Sequence, residues 1–258
     1  MYPVLFHIGD WPIHSFGVML SLGILSGLLV SCYVAKRQGR YLAEVVDLAF
    51  YAIVGGIIGA RLWEVAFTWD YYSYNPGQIV AIWNGGLSVQ GAVLGGLLAV
   101  VWYSRRNSIP FWPMADTLAP GLLMGQAVGR MGCFLNGCCF GIPHSFGVAY
   151  PVGSDANFIF GSQKLFPAVL FEAGWDILVL ALLLKIFTKK PFDGFIALSY
   201  FILYSVGRFT IEFWRGDSLR TIMDFKVAQL TSIITIIVSV ALMVYLANAS
   251  KGHRDQQC

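Results

Sequence analysis

The chain has 258 residues, 57% of them hydrophobic and only 12% charged, with a net charge of +3. Soluble domains carry about 25% charged residues. The composition therefore excludes an ordinary soluble globule and predicts an all-α polytopic membrane protein, a single integral membrane domain over residues 1–258. The small net charge by itself says nothing about nucleic acid, and no nucleic-acid partner is expected; five cysteines, an odd number, fit no disulfide framework.

The first Lys or Arg is Lys36, so no charged region precedes the first apolar run. A cleavable signal peptide is not expected, and the first helix should remain in the mature protein. Apolar length and the gaps between charges predict seven spans. Segment 15–35 is uncharged. Segment 45–67 carries Asp47, Arg61 and Glu64, and segment 87–103 is uncharged and rich in small residues. Segment 113–133 carries Asp116 and Arg130. Segment 166–187 carries Glu172, Asp176 and Lys185, and segment 194–214 carries Arg208 and Glu212. Segment 227–248 is uncharged again.

The loops set the orientation, because cytoplasmic loops collect Lys and Arg. With the N-terminus outside, ten of the 17 Lys and Arg fall on the inner side: Lys36, Arg37, Arg40, Arg105, Arg106, Lys185, Lys189, Lys190, Lys251 and Arg254. Four fall outside (Lys164, Arg215, Arg220, Lys226), and Arg61, Arg130 and Arg208 lie within spans. The expected topology is N-terminus outside and C-terminus cytoplasmic. It places an amphipathic entry at 7–16, an aromatic belt at 69–83, a long loop at 134–165 and segment 215–226 on the outer side.

A permanent cation inside a span is expensive and marks a functional site. Arg130 sits in Gly129-Arg130-Met131-Gly132, where the fourth span should end, with Asn136 and Gly137 just beyond. Its planar fork matches phosphate oxygens, and the glycines admit close approach. Tyr204, Arg208, Glu212 and Arg215 are spaced four, four and three apart, which predicts one helical face with Arg208 and Glu212 paired. An anion held between Arg130, Arg208 and Arg215 accounts for all three cations; self-satisfying pairs account for only some of them. Arg61 and Glu64, three apart, read as a local pair. Glu172, near the outer end of the fifth span, is placed to counter Arg130, and Asp176 could pair with Lys185 or a neighbouring helix. Gly91, Gly95 and Gly96 read as a helix crossing, with polar Gln90 at its entry. Cys133, Cys138 and Cys139 lack a C-x-x-C pair and read as small packing groups, so no metal and no cofactor is expected. Among the outer histidines His7, His14 and His144, His14 and His144 could serve as a base.

At these residues the chain resembles the prolipoprotein diacylglyceryl transferase family. The family signature Gly-Arg-x-Gly-Asn-Phe-x-Asn-Gly-Glu aligns on Gly129 through Cys138 and keeps Gly129, Arg130, Gly132, Phe134, Asn136 and Gly137. A second motif aligns on Tyr204, Arg208, Glu212, Phe213 and Arg215, and an opening one on Ile13, His14 and Gly17. Gly59 to Leu62 and Gly85 to Ser88 also match. The departures are Cys133 and Cys138 in place of the signature Asn and Glu, Gln90 and Phe166 in place of histidines, and Phe16 in place of a tyrosine.

The resemblance implies a multi-pass enzyme of the bacterial cytoplasmic (inner) membrane, with its active site toward the outer leaflet. It would move the diacylglyceryl group of phosphatidylglycerol, taken from membrane lipid, to the lipobox cysteine of prolipoprotein signal peptides. Arg130, Arg208, Glu212 and His14 are implied as catalytic. Arg130, Asn136, Gly137, Tyr204, Arg208, Arg215 and Gln90 are implied as substrate-binding. The proton acceptor stays open between His14, Glu172 and a thiol ionised by the arginine field. A divergent member that binds or transports lipid or another small anion without transfer is the alternative.

Overall fold

The computed structural model describes residues 2–9, 11–217 and 226–255, with only the backbone of Ile8, Asn84 and 251–255. Arg220 and Cys258 lie outside the described residues. The fold is predominantly helical. Four helices among the described residues are long and apolar enough to cross a membrane: Ser15–Gln38, Leu42–Phe67, Phe195–Trp214 (counting its terminal 3-10 turn) and Val227–Ser250.

In chain order, strands β1 (Val4–Ile8) and β2 (Trp11–His14) form an antiparallel hairpin, with Phe6 opposite Ile13 and His7 opposite Pro12. The expected amphipathic entry is therefore mostly strand. Helices α1 (Ser15–Gln38) and α2 (Leu42–Phe67) follow, then a short α3 (Trp69–Tyr74) and two 3-10 turns where the aromatic belt was expected. Helices α4 (Val89–Arg106) and α5 (Phe111–Asn136) come next. The long loop after α5 holds strand β3 (Pro143–Ala149), helix α6 (Asp155–Phe160) and strand β4 (Lys164–Leu165). Helices α7 (Ala168–Ile186), α8 (Phe195–Ile211) and α9 (Val227–Asp255) complete the chain. Each of the seven apolar segments read from the sequence coincides with one of the long helices α1, α2, α4, α5, α7, α8 and α9.

The chain divides into two compact units, Met1–Val34 with Ala115–Cys258, and Ala35–Met114. In the second unit α2 and α4 touch backbone to backbone. A Cβ on Gly55 would stand 2.7 Å from the Gly95 carbonyl oxygen, so these glycines serve helix contact. Asp47 on α2 accepts a hydrogen bond from the Tyr103 hydroxyl on α4 at 2.5 Å.

Arg61 departs from the sequence expectation. It does not pair with Glu64 among the described residues. Its guanidinium instead donates to the carbonyls of Ile79, Gly85, Gly86, Gln78 and Ala81, and it lies 5.1 Å from the Tyr72 ring centre. Five donors in a planar fork suit a loop whose carbonyls have no partner strand.

The first unit packs α1 on α5 through Gly27, where a Cβ would meet the Gly121 carbonyl at 2.7 Å. Its core gathers Leu123 of α5, Val179 and Leu183 of α7, and Ile196 and Tyr200 of α8, all buried. Asp116 on α5 is fully buried and caps α8 from outside that helix. It accepts from the N–H groups of Gly194 and Ala197, both at 2.9 Å, and pairs with Lys190 at 2.8 Å. A carboxylate at a helix N-terminus satisfies donors that the helix cannot, and complements its dipole. Burial works against the Lys190 charge, but the hydrogen bonds it donates to Asp116 and Asp193 outweigh it and raise the pKa.

Candidate active site

Three guanidiniums from three separate elements converge on one buried carboxylate. Glu172 lies in the second turn of α7 and is 5% exposed. Arg130, two turns before the end of α5, places Nε 3.0 Å from Glu172 Oε2. Arg208, in the last turn of α8, donates to Glu172 Oε1, and its Nη2 stands 2.9 Å from Glu212 Oε2. That second contact is a charge contact rather than an aligned hydrogen bond, since Glu212 Oε2 has no hydrogen-bond partner. Arg215 Nη1 lies 3.1 Å from Glu172 Oε1, and its Nη2 2.6 Å from Asp217 Oδ2.

Arg215 reaches this position by a route the sequence spacing did not predict. Helix α8 stops at Ile211, a 3-10 turn covers Glu212–Trp214, and Arg215 itself is extended. The four spaced residues Tyr204, Arg208, Glu212 and Arg215 therefore do not share one continuous helical face. A bridge takes its place. Gly141 pairs with Arg215, Ile142 N donates to Trp214 O at 2.9 Å, and Gly216 N donates to Phe140 O at 3.0 Å. This clamps the loop after α5 against the chain after α8. Only glycine fits at 141, where a Cβ would lie 2.7 Å from the Trp214 carbonyl oxygen and 2.8 Å from Phe166 Cβ.

Lys226 completes the arrangement by donating to the carbonyls of Glu212 at 2.5 Å and Arg215 at 2.7 Å. Arg130, Arg208 and Arg215 thus stand against the contacting carboxylates Glu172, Glu212 and Asp217, with Lys226 holding the carbonyls beside them. Exposure divides the arginines. Arg130 and Arg208 are 22% and 19% exposed, whereas Arg215 is 7% exposed and held by two carboxylates. Burial disfavours the Arg215 cation, yet Asp217 and Glu172 more than compensate and raise its pKa, so it stays charged. Such an array can take up an anion on the open faces of Arg130 and Arg208 while Glu172 fixes their spacing.

The remaining sequence-predicted residues are distributed as follows. Asn136 ends α5 and Gly137 follows it at φ 80; a Cβ on Gly137 would meet Ser154 Cβ at 2.7 Å, so glycine is required twice over. Tyr204 stacks on Tyr200 at 5.9 Å and lies within electrostatic reach of Arg130. His14 ends strand β2, exposed, and makes no hydrogen bond or ion pair with the arginines among the described residues. Gln90 belongs to the second unit and accepts a hydrogen bond from Ser88 at 2.8 Å. Asp176 is buried with Oδ2 unpartnered, and no ion pair joins it to Lys185 among the described residues.

Sequence reasoning placed Glu172 opposite Arg130 but missed its role as the common anchor of three arginines. It also missed Asp217 and Lys226. The available signal for Glu172 was its position near the start of its helix, as Arg130 lies near the end of its own. For Asp217 and Lys226, both in a loop, no such signal existed.

The chain was compared with known proteins. The family model described as prolipoprotein diacylglyceryl transferase matches residues 3–245. The phosphatidylglycerol–prolipoprotein diacylglyceryl transferase of Acaryochloris marina is 37% identical over 91% of this chain and 86% of its own length. The enzyme of the same name from Staphylococcus carnosus is 36% identical over 94% and 90%. That from Listeria innocua is 37% identical over 94% and 89%. Matched over nearly its whole length by the family model and by these relatives, the chain belongs to the prolipoprotein diacylglyceryl transferase family.

Proposed function

We propose that this protein transfers the diacylglyceryl group of phosphatidylglycerol to the thiol of the lipobox cysteine in a prolipoprotein signal peptide. The relatives' names supply the lipid and the protein substrate. The observation that carries the chemistry is the convergence of Arg130, Arg208 and Arg215 on Glu172, with Arg130 and Arg208 still partly exposed. In the reaction the cysteine sulfur bonds to the terminal glyceryl carbon as that carbon's bond to the phosphate oxygen breaks. The electron pair of the broken bond leaves with glycerol phosphate, and the thiol proton passes to a base. Negative charge grows on the departing phosphate, and fixed cations aimed at it lower the barrier. Arg130 and Arg208, with open faces, take that role. Glu212 holds Arg208, and Glu172 sets the spacing of all three guanidiniums. Arg215, Asn136, Gly137 and Tyr204 position the headgroup.

The nucleophile is the thiolate. Glu172 has its oxygens engaged by three guanidiniums, which makes it a structural counter-ion rather than a free base. Exposed His14 remains as the proton acceptor, or the arginine field lowers the thiol pKa so that solvent water takes the proton. The chain works as one membrane domain with seven spans formed by α1, α2, α4, α5, α7, α8 and α9. Its N-terminus faces outward and its C-terminus the cytoplasm, as the Lys and Arg bias supports. The site then serves the outer leaflet of the bacterial cytoplasmic membrane.

The test is mass spectrometry of a lipobox peptide incubated with phosphatidylglycerol and the purified protein. A thioether-linked diacylglyceryl increment on the cysteine is expected. An unmodified peptide, with lipid bound but unreacted, would replace the transferase by a lipid-binding relative.

A further inference from the structure

We propose that Cys133, Cys138 and Cys139 form a three-thiolate binding site for one soft divalent d10 metal ion of the Zn2+ and Cd2+ class. The sequence spacing argued against a metal because no C-x-x-C pair is present. The fold brings the thiols together by another route. Cys133 lies in the last turn of α5 and the chain reverses immediately after it, with Gly137 N and Cys138 N both donating to the Cys133 carbonyl, at 3.0 and 3.2 Å. Gly137 (φ 80) and Cys139 (φ 58) both take the left-handed conformation, which a residue with a Cβ adopts only when its surroundings enforce it. All three thiols are free of disulfides, and their Sγ atoms lie within 4.8 Å of one another. With a metal–sulfur distance of about 2.3 Å, tetrahedral sulfur ligands stand about 3.8 Å apart, so small side-chain movements close the thiols on an ion.

The surroundings point the same way. Arg215 lies within electrostatic reach of Cys139, and a cation beside a thiol stabilises a metal-bound thiolate. Tyr150 is 4% exposed, its hydroxyl has no partner, and it lies within electrostatic reach of Cys138 and Cys139. A neutral phenol hydroxyl is a hydrogen-bond donor able to serve a thiolate. Charge selects the ion. Binding a divalent metal releases three protons from three thiols and leaves a complex with one negative charge beside the Arg215 cation, whereas a monovalent ion would leave two. Three protein ligands leave the fourth corner open to water. An ion here would fasten the reversal that carries Asn136 and Gly137.

The experiment is a Cd2+ titration of reduced, tag-free protein in detergent without oxygen, in a Cys32→Ser/Cys258→Ser background, following thiolate-to-metal charge-transfer absorption. Saturation at one Cd2+ per chain is expected, with displacement by excess Zn2+. Cys133→Ser and Cys139→Ser should each lower the amplitude and weaken binding by at least about 100-fold, the upper end of what removing an outer-sphere partner alone costs. If Cys139→Ser does not fold, Cys138→Ser makes the same test. No charge-transfer band in the reduced protein, or a band untouched by all three serine variants, overturns the site.

Discussion

Replacing Glu172 by glutamine removes the one charge that three guanidiniums share while keeping the side chain's shape. Breaking a buried ion pair by deleting one partner costs about 3–5 kcal/mol, because the remaining charge is left uncompensated. Arg208 keeps Glu212 and Arg215 keeps Asp217, whereas Arg130 has no other carboxylate in contact among the described residues. Most of the loss therefore falls on Arg130, which is 22% exposed and regains some hydration, so about 3 kcal/mol is the expected destabilisation. The effect on transfer should be larger in proportion. Guanidiniums freed from their common anchor repel one another, and displacement of a catalytic group by about 1 Å costs about 100-fold in rate. Glu172→Asp keeps the charge but withdraws it by one methylene and should fall between wild type and Glu172→Gln. The assay pairs thermal unfolding in detergent with diacylglyceryl transfer to a lipobox peptide. A Glu172→Gln protein that melts with wild type and turns over within about twofold of it would refute the shared-anchor reasoning.

Arg130→Ala should lower transfer by about 100- to 1000-fold, the cost of removing one donor from a developing oxyanion, while the protein still inserts; a peptide-lipidation assay on membrane-extracted protein checks both. Asp116→Ala should destabilise by about 3–5 kcal/mol, since it strips Lys190 of its buried partner and α8 of its cap, and it should leave the turnover of folded molecules near wild type. Gly137→Ala should cost about 1–3 kcal/mol through its positive φ and the close Ser154 Cβ, read as a lower melting temperature. Arg61→Ala should open the 78–86 segment to proteolysis, because five carbonyls lose their donor; an unchanged digestion pattern would contradict that role.

The sequence by itself determined where the long helices lie, because a chain in an apolar setting must satisfy its own backbone and so declares its helices as apolar runs. It also singled out Arg130 and Arg208, since a guanidinium in such a run is costly and must find a partner. Only the tertiary structure decided what they meet. Glu172 is separated from Arg208 by 36 residues and from Arg215 by 43, and no periodicity within one helix encodes a contact between helices. The same limit explains Arg61, where the nearest opposite charge in sequence lost to five carbonyls of a distant loop. It also explains the cysteines, whose spacing hid a cluster that a chain reversal at Gly137 creates. Local spacing fixes which side chains share a helix face, while the folded backbone alone fixes which faces are brought together.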